Sequence, residues 1–239
     1  MRLDLFLEKI NLFDSRTKAK QAIERGEIYL DGKVINKASF QVLDENIVFE
    51  HRCETCYVSL GGYKLEKAIK DFNYDVQNKI AVDIGASTGG FTDFLLKNGA
   101  SKVYAVDLNA NLLHNTLKND IRVVEIIKNA KSLVRSDFNE EIDLVVADLS
   151  FISATQILPI ISNIINSEKD LILLIKPQFE NEEKIRFKNG IIRDDIYRKK
   201  ACQKVIDCAK KNNFIPIGFT TAPINKDKNV EYLILLKKI

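Results

Sequence analysis

Apolar residues over 3–12 (Leu3, Phe6, Leu7 and Ile10) keep helical spacing. A second helix is predicted from Arg16 to Arg25, burying Ala19, Ala22 and Ile23, with Asp14 or Ser15 as N-cap and Gly26 as its stop. Ile28-Tyr29-Leu30 and Lys33-Val34-Ile35 flank Asp31-Gly32, a pair that favours the tight turn of a hairpin. A third short strand from Asn46 to Glu50 closes a compact unit near residue 51, and the aperiodic stretch 51–60 reads as a linker. Beyond it, Gly61-Gly62 precede an amphipathic helix from Tyr63 to Phe72.

From there β-branched runs alternate with helices. Strands are expected at 79–82, 103–106, 122–127, 141–148 and 171–176, helices at 154–165 and 195–212, and final strands at 214–221 and 231–236. Such alternation predicts an α/β fold built on a doubly wound, mainly parallel sheet. A small α+β domain, 1–57, precedes the sheet domain, 58–239.

Composition narrows the class. A chain of 239 residues, 46% hydrophobic and 29% charged, suits one or two domains with a normal core. No apolar run approaches the ~20 residues of a membrane span, so no stable membrane association is expected. Met1-Arg2-Leu3-Asp4-Leu5-Phe6-Leu7-Glu8 does not match a signal peptide. Four cysteines fit a reducing, cytoplasmic location. Cys53 and Cys56 form a CxxC without a second close pair, and no metal is expected. The net charge of +3 does not identify a nucleic-acid partner, so the position of charge has to.

The chemistry centres on Asp83-Ile84-Gly85-Ala86-Ser87-Thr88-Gly89-Gly90-Phe91-Thr92, a glycine loop between a strand and a helix. Glycines there let the backbone turn sharply and a ligand approach. They do not follow the Gly-x-Gly-x-x-Gly of a dinucleotide site. An acid, Asp83, ends the strand before them, and a second, Asp107, ends the next strand. Carboxylates suit a ligand with a cationic end, such as S-adenosylmethionine, and an acid after the second strand commonly binds ribose hydroxyls. Candidate cofactor-binding residues are Asp83, Gly85, Ala86, Ser87, Gly89, Gly90, Phe91, Thr92, Asp107 and Asp148. The strand before Asp148 runs into Asp148-Leu149-Ser150-Phe151, not the Asn-Pro-Pro-Tyr-like turn usual in enzymes that methylate exocyclic amines.

Arg2-Leu3-Asp4, Ser15-Arg16-x-Lys18-Ala19, Ile23-x-x-Gly26-x-Ile28-x-Leu30-x-Gly32 and Val34 resemble the alpha-L RNA-binding fold of ribosomal protein S-four. The resemblance points to Arg2, Arg16, Lys18, Lys20 and Arg25 as RNA-binding, with cations meeting phosphates. Residues 1–60 hold nine Lys and Arg against ten Asp and Glu, so an RNA face requires a local patch with acids turned away.

Across nearly its whole length the chain resembles the TlyA family, itself similar to FtsJ-type ribose methyltransferases. The matching segments are Gly61 to Ala68, Asp83 to Thr92, Val103 to Asp107, Asp148 to Ser153, Ile175 to Glu180, Gly190 to Asp194 and Asn229 to Glu231. The resemblance implies S-adenosylmethionine-dependent 2′-O-methylation of a cytidine in ribosomal RNA, with ribosomal RNA or a ribosomal subunit as partner. It also places a Lys-Asp-Lys-Glu tetrad on Lys64, Asp148, Lys176 and Glu231. Leu60 stands where the family usually has arginine, and the span of the chain resembles the short form associated with the large-subunit RNA. Family members are often labelled haemolysins. A membrane-lytic protein and an RNA-binding protein with an inactive enzyme domain are the competing expectations.

A ribose 2′-hydroxyl is a poor nucleophile until it loses its proton. A neutral lysine amine can take that proton, once a second ammonium and burial lower its pKa from ~10.4. The expected roles are Lys176 as base, Lys64 as its electrostatic partner, and Asp148 and Glu231 as orienting acids.

Overall fold

Apolar faces gather into two separate sets of cores, and the chain divides accordingly into two units, Met1–Cys56 and Tyr57–Ile239. The computed structural model describes residues 1–52, 56–180, 187–223 and 228–239. Cys53, half of the CxxC pair, lies outside the described residues.

In the first unit, α1 (Leu3–Lys9) and α2 (Arg16–Glu24) cover a small antiparallel sheet of β1 (Ile28–Leu30), β2 (Lys33–Val34) and β3 (Glu50–His51), in the order β2-β1-β3. Its core is Leu3, Phe6, Leu7, Ala19, Ala22, Ile23, Ile28, Ala38, Val42 and Phe49. Ser15 is the N-cap of α2, its Oγ accepting from the Lys18 N–H at 3.3 Å. Asp31 and Gly32, at φ 49° and 74°, make the expected hairpin turn. The third strand is shorter and later than the sequence suggested. Asn46 sits in a turn, and β3 begins only at Glu50, where pairing with β1 starts.

The second unit carries α3 (Leu60–Phe72), β4 (Ile80–Ile84), α4 (Gly90–Lys97), β5 (Lys102–Asp107), α5 (Asn115–Lys118), β6 (Val123–Ile127), β7 (Leu144–Ala147), α6 (Leu158–Ile164), β8 (Asp170–Ile175), α7 (Asp195–Lys211), β9 (Phe214–Thr221) and β10 (Tyr232–Lys238). The sheet runs β6-β5-β4-β7-β8-β10-β9. Its first five strands are parallel, and β10 is antiparallel to both neighbours. α6 and α7 pack one face, through Ile161, Val205 and Ala209, while α3 and α4 pack the other, through Leu65, Ala68, Phe94 and Leu95. The chain therefore reverses its order of strand addition beside β4, where open α/β sheets hold their ligands.

Two further expectations need correction. The helix expected over 154–165 is a 3-10 turn at Ala154–Gln156 followed by α6, with Pro159 in the first turn of the α-helix, where proline is tolerated. Gly61-Gly62 lie inside α3, not ahead of it. Their lack of side chains serves packing: a Cβ on Gly62 would lie 2.3 Å from the Tyr57 ring, and one on Gly90 would lie 3.0 Å from Gly61 Cα. No helix among the described residues is long and apolar enough to cross a membrane.

Candidate active site

The crevice outside β4, β5 and β7 receives one carboxylate from each strand, and the three are held differently. Asp83 is buried near the end of β4. Its Oδ2 accepts from Thr92 N at 2.9 Å and from Thr92 Oγ1 at 2.7 Å, so it fastens the first turn of α4. Burial pushes this carboxyl up to about 7 against the pull of Thr92, and Asp148 and Asp107 push it further the same way. Asp107 ends β5, accepting from Ser87 N at 2.9 Å and from Asn109 N at 3.1 Å. It thereby ties the glycine loop to the second strand.

Gly85 is at φ 84°, and a Cβ there would lie 2.6 Å from the Asp148 carbonyl oxygen. Only glycine lets the loop pass so close to the end of β7. Gly85, Ala86, Ser87 and Gly89 form the turn itself, with Ser87 exposed. Gly90, Phe91 and Thr92 lie buried in α4: Gly90 against α3, Phe91 in the apolar core, Thr92 on Asp83. The structure thus gathers the loop candidates, with the last three buried in α4.

Lys64, Asp148, Lys176 and Glu231 come together from four distant parts of the chain. Lys64, on the first turns of α3, lies 2.7 Å from Glu231 Oε2 and 3.5 Å from Asp148 Oδ2. Lys176 Nζ lies 2.5 Å from Asp148 Oδ1 and donates to Ser150 Oγ at 2.8 Å. Asp148 therefore bridges the two lysines. Glu231 arrives because β10 runs antiparallel to β8 with Tyr232 opposite Ile175, which sets the preceding residue beside the end of β8. The expected mutual lowering of the lysines fails for Lys64. Burial alone would lower its pKa, but Asp148 and Glu231 outweigh it and the net shift is upward.

Three residues here were not singled out from the sequence. Ser150 accepts from Lys176 and so adds a neutral partner to the lysine that Asp148 holds. Phe151 is 91% exposed at φ 64°, a conformation that bulky residues rarely adopt, with its ring 5.1 Å from that of Phe179. Glu180, 5% exposed, accepts from Ala154 N at 2.7 Å and from Ser153 Oγ, so it clamps the loop after β7 to the turn after β8. Leu60, the first residue of α3, is partly buried.

The first unit's candidate cations are engaged locally. Arg2 and Arg16 lie 3.0 and 2.9 Å from the buried Asp4 carboxylate, which they hold down at about 2, with the Arg2 hydrogen bonds contributing most. Lys18 pairs with Asp14 at 2.6 Å, Lys20 with Glu24 at 3.6 Å, and Arg25 with Glu27. The acids are not turned away from these cations, as the sequence reading required; they sit on them.

Comparison with known proteins matches residues 57–238 to the FtsJ-like methyltransferase model and residues 1–48 to the S4 domain. The chain is 45% identical to "Hemolysin A" of Brachyspira hyodysenteriae, over 98% of each. It is 34% identical to the "16S/23S rRNA (cytidine-2'-O)-methyltransferase TlyA" of Mycobacterium tuberculosis, covering 99% of this chain and 89% of that one. A solved structure of a hemolysin-named protein from Streptococcus thermophilus is 37% identical with a TM-score of 0.75, over 100% of this chain and 88% of that one. An S-adenosylmethionine-dependent methyltransferase from Mesorhizobium loti, at 14% identity and a TM-score of 0.58 over 75% of this chain and all of its own, shares the fold alone.

Proposed function

Since the chain belongs to the FtsJ-like methyltransferase family and carries an S4 domain, we propose that it methylates the 2′-oxygen of a cytidine in ribosomal RNA, that of the large subunit above all, in the cytoplasm. The observation that carries this reading is the Lys64–Asp148–Lys176–Glu231 cluster at the mouth of the glycine-loop crevice. The named activity of the Mycobacterium tuberculosis relative supports the choice of substrate.

The crevice suits S-adenosylmethionine. Asp148 and Asp107 both raise the carboxyl of Asp83, so three acids share one field, which fits a ligand bearing an ammonium and a sulfonium better than a pyrophosphate. Asp107 is the partly exposed acid at the end of the second strand, where ribose hydroxyls are taken. Gly85 leaves the backbone bare against Asp148. The bound cofactor supplies an electrophilic methyl group; the protein's own residues do the rest.

Two lysines and two acids sum to zero charge, so one proton can be exchanged at modest electrostatic cost. Lys64 touches two carboxylates and its pKa is raised, which keeps it an ammonium. Among the described residues Lys176 touches one, Asp148, and it also donates to the neutral Ser150 hydroxyl. That difference in contacts assigns Lys176 as the base: with S-adenosylmethionine bound to supply the methyl group, the Lys176 amine would take the proton of the 2′-hydroxyl. Asp148 holds Lys176 toward the loop, Glu231 holds Lys64, and Lys64 supplies the fixed positive charge. Phe151, exposed beside this cluster and backed by Phe179, offers a face on which the target base stacks. The test is incubation with labelled S-adenosylmethionine and bacterial large-subunit ribosomal RNA, followed by nucleoside analysis. The reading expects 2′-O-methylcytidine; label on a base, or none on RNA, overturns it.

A further inference from the structure

Outside the tetrad, a surface cavity of ≈ 530 Å³ lies along α7, lined by Thr155, Lys200, Gln203, Lys204, Asp207 and Cys208, with Lys211 at its end. We infer that this groove is a second RNA track, in which the lysine stripe of α7 takes consecutive phosphates of the ribosomal RNA substrate. The inference rests on the ribosomal RNA reading above and adds to it a contact surface on the methyltransferase unit.

Spacing of i, i+4 and i+11 puts Lys200, Lys204 and Lys211 on one face of α7, about 16 Å from first to last at ~1.5 Å per residue, long enough to follow several phosphates of a strand. Lys204, at the middle of the stripe, is engaged with Glu180, its Nζ 3.9 Å from the carboxylate, and the two flanking lysines are the cations open to a phosphate. Lys200 and Lys211 are exposed and form no ion pair with any described residue. Among the described lining residues the one acid, Asp207, already accepts from Gln203 Nε2 at 2.8 Å. Charge over the whole chain agrees: residues 57–239 hold 27 Lys and Arg against 23 Asp and Glu, whereas residues 1–56 hold nine against ten.

The groove is also tied to the active site. Lys204 Nζ donates to the Glu180 carbonyl at 3.2 Å. Glu180 closes the turn that begins at Lys176, and its carboxylate grips Ser153 and Ala154, just beyond Asp148. Thr155, the next residue, lines the groove and accepts from Cys208 Sγ at 3.6 Å. A strand lying on α7 would thus be anchored to the segments that carry Asp148 and Lys176.

The test uses the full-length chain with Lys200→Glu and Lys211→Glu combined, and filter binding to bacterial large-subunit ribosomal RNA over a salt series. Loss of two phosphate contacts should weaken binding about tenfold or more at low salt and reduce the magnitude of the log–log salt slope by between one and two. The double arginine variant, Lys200→Arg with Lys211→Arg, should bind as the parent does. Calorimetric affinity for S-adenosylmethionine, unchanged in both, shows that the fold is retained. Unchanged RNA affinity and slope in the glutamate variant overturn the inference. A parent chain that binds the RNA with lysine dependence but transfers no methyl group to it overturns the proposed function and leaves the track standing.

Discussion

The ion pairs of α2 and those of the crevice use the same residue types at similar distances. Lys18–Asp14 and Lys20–Glu24 span 2.6 and 3.6 Å, against 2.5 to 3.5 Å for the pairs of Lys64 and Lys176. Their surroundings differ. Lys18 and Asp14 are 47% and 81% exposed, whereas Lys176 and Asp148 are 10% and 20%. Exposed pairs are worth ~0–1 kcal/mol and exchange partners at little cost, so a phosphate can replace Asp14 or Glu24. Pairs shielded from water hold their members in fixed places, and removing one strands the other. One arrangement suits recognition by exchange, the other chemistry by position.

The largest effect is expected in the shielded set. Asp148→Asn removes the charge that both lysines share and should lower single-turnover methyl transfer by about 10³-fold or more, while RNA binding persists. A variant within tenfold of the parent would mean that the crevice pairs are as dispensable as surface ones.

Asp83 gives an intermediate effect that depends on pH. Its folded pKa of about 7 lies above the ordinary carboxylate value, so between those two values the folded state binds more protons than the unfolded one. Stability of the unliganded protein therefore falls as pH rises through that window. Affinity for S-adenosylmethionine should rise about tenfold from pH 6 to 8 as the carboxylate forms. Asp83→Asn, which keeps an acceptor for Thr92, should flatten both trends. Denaturant titration and calorimetry across pH check this; slopes that survive the substitution would separate them from Asp83.

The smallest effect belongs to the exposed set. Lys18→Gln with Lys20→Gln should change stability by no more than ~0.5 kcal/mol. It should weaken ribosomal RNA binding about three- to tenfold at low salt, with the difference shrinking at high salt. Filter binding measures this, and a larger loss of stability than of affinity would show that these pairs serve the fold.

Much of this was legible in the sequence where local pattern and strand order decide. The alternation of strands and helices, the Asp-Gly turn and the acids at strand ends follow from periodicity and turn chemistry. The tetrad was legible only through resemblance, because its gathering depends on β10 entering the sheet antiparallel, which no local pattern in 231–236 announces. Gly61-Gly62 misled, since glycine read as a loop signal serves here to let α3 and α4 touch. Phe151 carries no sequence signal for its left-handed backbone, and the partners of Arg2 and Arg16 were hidden because Asp4 looks like any exposed acid until its burial is seen.

The division of labour between the two lysines is tested most directly by single-turnover methyl transfer to ribosomal RNA, followed across pH for Lys176→Arg and Lys64→Arg. Arginine keeps a positive charge but does not give up its proton in proteins. The account predicts that Lys176→Arg is as inactive as Lys176→Ala at every pH, while Lys64→Arg retains measurable activity well above Lys64→Ala. Robust transfer by Lys176→Arg, with Lys64→Arg inactive, would contradict it and move the base to Lys64.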